Sequence, residues 1–280
     1  MFRYVLLMCV FVGLCLYFIF SKNNQQNYRY VIEEHGILIG FNLVDPEVAP
    51  PNIRESVLRG YSIIMNTPFY AANYAKDLVS CASCHLFEGN SLGGRNQGIS
   101  LLGVNNIYPQ YSERSNRTID IKERINNCFE RSMNGKPLPL DSQIMNDILA
   151  YLDWISIEVK DIKNPPWLGM KMLKSKHKPN EKEGAVIYEK YCIACHQEDG
   201  GGGGELPEPV GKTIPPLWGE NSFNDGAGMS VHPMLSAFIY WNMPFLNSVL
   251  TEEEAMDVAA FVLKQPRPHF VLKNNSPYES

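Results

Sequence analysis

Residues 81–85 read Cys81-Ala82-Ser83-Cys84-His85, and the same CxxCH pattern returns as Cys192-Ile193-Ala194-Cys195-His196. Two thiols at this spacing form thioether bonds to the vinyl groups of a haem while the adjoining imidazole reaches its iron, so each pentad predicts one covalently attached c-type haem. Zinc is the competing use of thiolates and imidazoles. A zinc ribbon, however, does not require His directly after each second Cys, and its paired knuckles lie much closer together than the 111 positions that separate these two motifs.

Around each pentad the chain repeats one plan. Ahead of the first, Ile53, Val57, Leu58, Tyr61, Ile64 and Met65 recur at helical spacing after Pro50-Pro51; behind it, residues 89–103 are glycine-rich and suit a loop around a haem edge. Residues 118–133 carry Ile121, Ile125 and Phe129, and Asp141 is placed to cap a helix through Ile144, Ile148, Leu152 and Ile155. The second copy runs from a helix over 181–191 through its CxxCH and the 200–204 glycine loop to a last helix, where Thr251 and Glu254 read as a capping box. Helix, haem motif, loop and closing helix in each half resemble a class I cytochrome c domain. The expected fold is all-α, with two such domains in tandem at 50–158 and 181–268. A linker at 159–180 holds Pro165-Pro166 and six Lys against one Asp, and residues 269–280 form a tail.

The N-terminus is of another kind. Residues 4–20 form an uncharged, mostly apolar run behind Arg3, which suits entry into a membrane with the N-terminus in the cytoplasm. Its 17 residues are at the lower limit for a span but exceed an ordinary signal core, and no A-x-A-like cleavage site follows at Phe20-Ser21-Lys22. Residues 1–22 are therefore read as an uncleaved inner-membrane anchor in preference to a removed signal, with a polar extension over 23–49 and a short strand or lid near 37–44. Either way the remainder is exported to the periplasm. The net charge of −5 over 280 residues shows no basic excess, which argues against nucleic acid as a partner.

Of seven cysteines, four belong to the pentads and Cys9 and Cys15 lie in the apolar run, so Cys128 is the one thiol without an assignment. No disulfide framework is available to it. Each iron also needs a sixth ligand or an open position. Met243 lies 47 positions after His196 and is the natural choice in the second domain, ahead of Met229 and Met234. In the first domain Met133, 48 positions after His85, mirrors it, and Cys128, at 43, is its rival. Arg124, Cys128 and Ser132 recur at i, i+4 and i+8 of the expected 118–133 helix, which would flank a haem-facing Cys128 with a guanidinium and a hydroxyl. A neighbouring cation favours the thiolate, the form that binds iron and attacks sulfur.

Charge separates the halves. Residues 95–136 hold seven basic and four acidic side chains, a balance of +3, whereas residues 181–264 hold four and thirteen, a balance of −9. An anionic substrate would be steered to the first haem and a basic redox partner to the second domain.

The run Arg124-Ile125-Asn126-Asn127-Cys128-Phe129-Glu130-Arg131-Ser132-Met133-Asn134-Gly135 resembles the signature of the diheme thiosulfate dehydrogenases, also called tetrathionate reductases. The likeness extends over both haem domains, roughly 50–266. It implies His85 and Cys128 on the first iron and His196 and Met243 on the second, with Arg114, Arg124 and Ser132 matching active-site positions of the family. Some members carry Lys before the ligand Met; here that residue is Asn242, so Lys/Met exchange at the second iron is not expected. The implied reaction interconverts two thiosulfates and tetrathionate, with Cys128 leaving the first iron to carry a sulfur adduct. Two dianions must meet, and four unit repulsions at about 4 Å cost roughly 4 kcal/mol even in water. Arginine forks such as Arg114 and Arg124 are the natural counterweight. A plain diheme electron shuttle with Met133 on the first iron is the competing reading. A diheme peroxidase is a further one, but no residue announces itself as the acid/base that peroxide chemistry needs.

Overall fold

The computed structural model describes residues 29–34, 36–75, 78–206 and 212–271. The expected anchor over 1–22 lies outside these residues, and among the described residues no helix is long and apolar enough to cross a membrane.

The chain divides into two compact units, Met1–Asn42 and Leu43–Ser280. In the first, β1 (Tyr30–Glu34) and β2 (Ile37–Phe41) form an antiparallel hairpin in which Tyr30 pairs with Phe41 and Ile32 with Ile39. The short strand expected near 37–44 is therefore one arm of a hairpin.

In the second unit, α1 (Pro51–Met65) opens the first half, with proline at its first turn, where the missing N–H costs nothing. It crosses α4 (Gln143–Ile155), and the two bury Val57, Ile64, Ile148, Tyr151 and Ile155 in one core. Each such side chain contributes about 1.5–3 kcal/mol when removed from water. The crossing is close because Gly60 faces Asp147: a Cβ on Gly60 would lie 2.0 Å from the Asp147 carbonyl oxygen. The second half repeats this contact. There α5 (Glu181–Tyr191) crosses α8 (Glu252–Lys264), and a Cβ on Gly184 would lie 2.0 Å from the Asp257 carbonyl oxygen. Both aspartates are buried, Asp147 against Arg59 and Asp257 against His177. The Gly/Asp pair is thus a repeated feature of the two halves, hidden in the sequence because its partners are about 80 residues apart.

Local chemistry moves several boundaries. Ser142, not Asp141, caps α4 by accepting the Met145 N–H. Thr251 and Glu254 form the expected capping box. Residues 118–133 are not one helix. Arg117–Ile119 is strand β4, paired with β3 (Gln110–Ser112), so the fold is mostly helical with two small hairpins, where an all-α chain was expected. Asp120 then caps α3 (Ile121–Asn127), and Cys128–Ser132 widens into a π turn closed by the Met133 N–H donating to the Cys128 carbonyl at 3.0 Å.

The halves meet along a polar seam. Asn242, at the end of α7 (His232–Asn242), accepts the Gly98 N–H. Arg95 bonds Ser248, Lys212 pairs with Glu88, and Asn224 bonds the backbone of the π turn. The 159–180 stretch clamps both halves: Trp167 donates to Leu102 O, and Glu252 accepts the Ser175 N–H.

Candidate active site and haem pockets

Both CxxCH segments are built to present their groups. In the first, Thr67 Oγ1 accepts the Cys81 N–H at 3.1 Å and lies 3.4 Å from its Sγ. His85 Nδ1 donates to Ile99 O at 2.8 Å, which fixes the ring and leaves Nε2 for a metal. In the second, His196 Nδ1 is held the same way by Pro215 O at 3.1 Å. Burial pushes the Cys81, Cys84 and Cys192 thiols up to about 12 and the His85 imidazole down to about 4, and it also lowers His196. Among the described residues no three His, Cys, Asp or Glu gather to hold a bare ion.

Cys192, Cys195, His196 and Met243 line one cavity together with Phe223, Leu235 and Ile239, and its apolar wall suits a porphyrin. Met229 also reaches this wall, while Met234 packs on the surrounding core. Ala82, Ser83 and Cys84 border the same cavity, so the first haem motif shares a wall with the second pocket.

In the first half the two rival residues separate. Met133 is 2% exposed and packed among the core side chains. Half-buried Cys128 lies at the core edge with Cys81 and is an electrostatic neighbour of both Cys81 and Cys84. Arg124 Nη1 donates to Cys128 Sγ at 2.7 Å. One turn of α helix places this i, i+4 pair in register. Ser132 is the last residue of the π turn and is half-buried.

Two more groups reach Arg124. The Tyr108 phenol lies beside it, and Arg114 lies near enough to be repelled by it. Arg124 is accessible on one side yet crowded by protein on the others, and its pKa is raised first of all by the Cys128 sulfur. Burial lowers Arg114 and Arg131, and the mutual repulsion of the guanidiniums adds to it. A cluster of cations around one sulfur is a site for anions. Tyr108 escaped the sequence reading because nothing periodic marks it, and Arg131 because it counted only toward net charge.

Residues 68–160 match the SoxA/TsdA cytochrome c domain family, and residues 179–262 match the family of cytochrome c oxidase, cbb3-type, subunit III. Over 217 residues the chain is 37% identical to the thiosulfate dehydrogenase of Allochromatium vinosum, covering 77% of this chain and 80% of that one. The chain belongs to the thiosulfate dehydrogenase family. The thiosulfate dehydrogenase of Psychrobacter arcticus is 35% identical over 214 residues, 76% of this chain and 64% of that one. The solved thiosulfate dehydrogenase (TsdBA) from Marichromatium purpuratum, in its "as isolated" form, superposes with a TM-score of 0.75 at 28% identity. The match covers 84% of this chain and 51% of that one, so this chain spans about half of it. As a family member the chain is an oxidoreductase of two tandem cytochrome c domains with two c-type haems.

Proposed function

We propose that the chain interconverts two thiosulfates and tetrathionate at Cys128, beside the first haem. The observation that carries this reading is the 2.7 Å contact from Arg124 to Cys128 Sγ at the π turn. Cys81 and Cys84 would hold the first haem, with His85 and Cys128 on its iron; Cys192 and Cys195 would hold the second, with His196 and Met243. When bound, the haems supply the acceptors for two electrons, one each.

The protein's part is to hold sulfur and charge. As a thiolate, Cys128 Sγ bonds the sulfane sulfur of one thiosulfate, and the two electrons released would go to the haems. A second thiosulfate then attacks that sulfane sulfur; the new S–S bond completes tetrathionate, and the broken bond returns its electron pair to Cys128. No proton is consumed, so the site needs cations more than an acid or base. Arg124 stabilises the departing thiolate, and Arg114 offsets the charge of the anions. Met133, packed in the core, does not suit the role of ligand that the electron-shuttle reading gives it.

The acidic second domain favours a basic electron-carrier protein as redox partner, and the apolar run over 4–20 favours a periplasmic protein anchored in the inner membrane. The test is turnover of the holoprotein with thiosulfate and a soluble one-electron acceptor. Tetrathionate formed at half the molar amount of thiosulfate consumed supports the reading, and acceptor left unreduced refutes it. Cys128→Gly abolishes turnover with both haems still attached.

A further inference from the structure

Arg114, Arg124 and Arg131 lie close enough to repel one another, and Arg124 is the one bonded to Cys128. Arg114 and Arg131 are held instead by one segment of the second half. Arg114 Nη1 donates to Gly226 O at 3.0 Å, and a Cβ on Gly228 would lie 3.9 Å from its Nη2. Two residues before Gly226, the Asn224 N–H donates to Arg131 O at 3.1 Å and Asn224 Nδ2 donates to Glu130 O at 2.8 Å. The Arg131 guanidinium lies 4.1 Å over the Phe270 ring, and its Nε donates to Asn127 Oδ1 at 3.3 Å. Phe270 is pinned in turn, its N–H donating to Asp225 Oδ1 at 2.7 Å. The 224–228 segment therefore reaches both arginines and fixes the stack that aims one of them.

The adduct on Cys128 keeps its sulfonate beside the fork of Arg124, so the attacking dianion needs cations of its own. The arginines beyond Arg124 are where the chain places them, and stacking leaves a guanidinium charged and planar for paired bonds to sulfonate oxygens. We infer that Arg114 and Arg131, set by the 224–228 segment and Phe270, form a second anion subsite that receives the sulfonate of the attacking thiosulfate. Arg131 is a binding residue of this subsite and Phe270 a positioning residue. The inference rests on the thiosulfate reading above.

Treating oxidised holoprotein with tetrathionate and desalting it leaves one thiosulfate on Cys128, visible by intact mass. The adduct is then discharged in two ways: by thiosulfate, which must enter the second subsite, or by a two-electron reductant, which returns the Cys128 thiolate and one thiosulfate without it. In Arg131→Gln, discharge by subsaturating thiosulfate slows about 10- to 100-fold, as expected for a lost charge-assisted hydrogen bond, while discharge by reductant keeps its rate. Phe270→Leu, which retains the guanidinium but not its stack, shows a smaller slowing of the thiosulfate route alone. If wild-type Cys128 takes no adduct, the thiosulfate reading itself falls. If wild type takes it but these variants discharge by thiosulfate at the wild-type rate, or slow equally on both routes, the second subsite is refuted.

Discussion

Asn242 Oδ1 accepts the Gly98 N–H at 2.8 Å, in a place where Asn242 is wholly buried. Asn242 immediately precedes Met243 in the second pocket, and Gly98 precedes Ile99, whose carbonyl holds His85 in the first. One hydrogen bond thus joins the two residues that set the groups lining the two haem sites. The side chain of Asn242 is committed to this bond and to Phe238 O, so the position before Met243 serves the seam. Gly98 has φ +68, a conformation glycine adopts freely, and a Cβ there would meet Leu86 N at 2.5 Å.

Asn242→Ala leaves the Gly98 N–H buried without a partner and is expected to cost about 1–3 kcal/mol. Chemical denaturation of the holoprotein measures this. A change below about 0.5 kcal/mol, the range of neutral surface substitutions, would mean that the seam does not depend on this bond.

The repeated glycine crossings give a paired prediction. Gly60→Ala and Gly184→Ala each force a Cβ to 2.0 Å from a backbone carbonyl. Each should destabilise its half by about 1–3 kcal/mol or more, since the helices must separate. Thermal melts of both variants check it, with Gly36→Ala, whose Cβ meets nothing within 4 Å, as the strained but uncrowded comparison.

Acid stability should depend on Asp147. Burial alone would raise its pKa, but bonds from Arg59, Ser56 and Gln143 outweigh it and hold it below the ordinary carboxylate value. A depressed carboxylate stabilises the fold above its unfolded pKa, about 3.9, and loses that contribution as pH falls through its lower folded value. The melting temperature of wild type should therefore fall below about pH 4 more steeply than that of Asp147→Asn, which has no carboxylate there to protonate. Equal slopes would contradict this.

The two methionines should behave oppositely. Met133→Leu conserves volume in a packed core, so it should cost under about 1.5 kcal/mol and leave both haem spectra unchanged. Met243→Leu should abolish the Met-to-iron charge-transfer band of the ferric protein. Loss of that band in the Met133 variant instead would restore the shuttle reading.

Much of this was legible in the residues. The pentads announced the haems, the helical periodicities found both closing helices, and the Thr251/Glu254 capping box formed as read. The register of Arg124 on Cys128 followed from one helical turn. What stayed hidden depends on partners distant in sequence: the Gly60–Asp147 and Gly184–Asp257 crossings, and Asn224 reaching back to Arg131. The π turn was hidden for another reason. Nothing in Cys128-Phe129-Glu130-Arg131-Ser132 distinguishes it locally from an α turn.

Arg124 is the sharpest test of the site outside Cys128. Arg124→Lys keeps a cation but loses the planar fork, and Arg124→Gln loses both. Thiosulfate turnover should fall about 10-fold or more in the first and further in the second, in line with about 1.5–3 kcal/mol for a charged hydrogen bond. Equal activity in both would show that the Arg124 charge is not what the sulfur chemistry uses.

The most direct measurement is anaerobic: photoreduce the holoprotein, add excess tetrathionate, and follow the haem α-bands in wild type and Cys128→Gly. Rapid reoxidation with release of two thiosulfates per tetrathionate in wild type, and none in the variant, is the expected result. Haems that stay reduced in wild type, or a variant that reoxidises as fast, would contradict sulfur chemistry at Cys128.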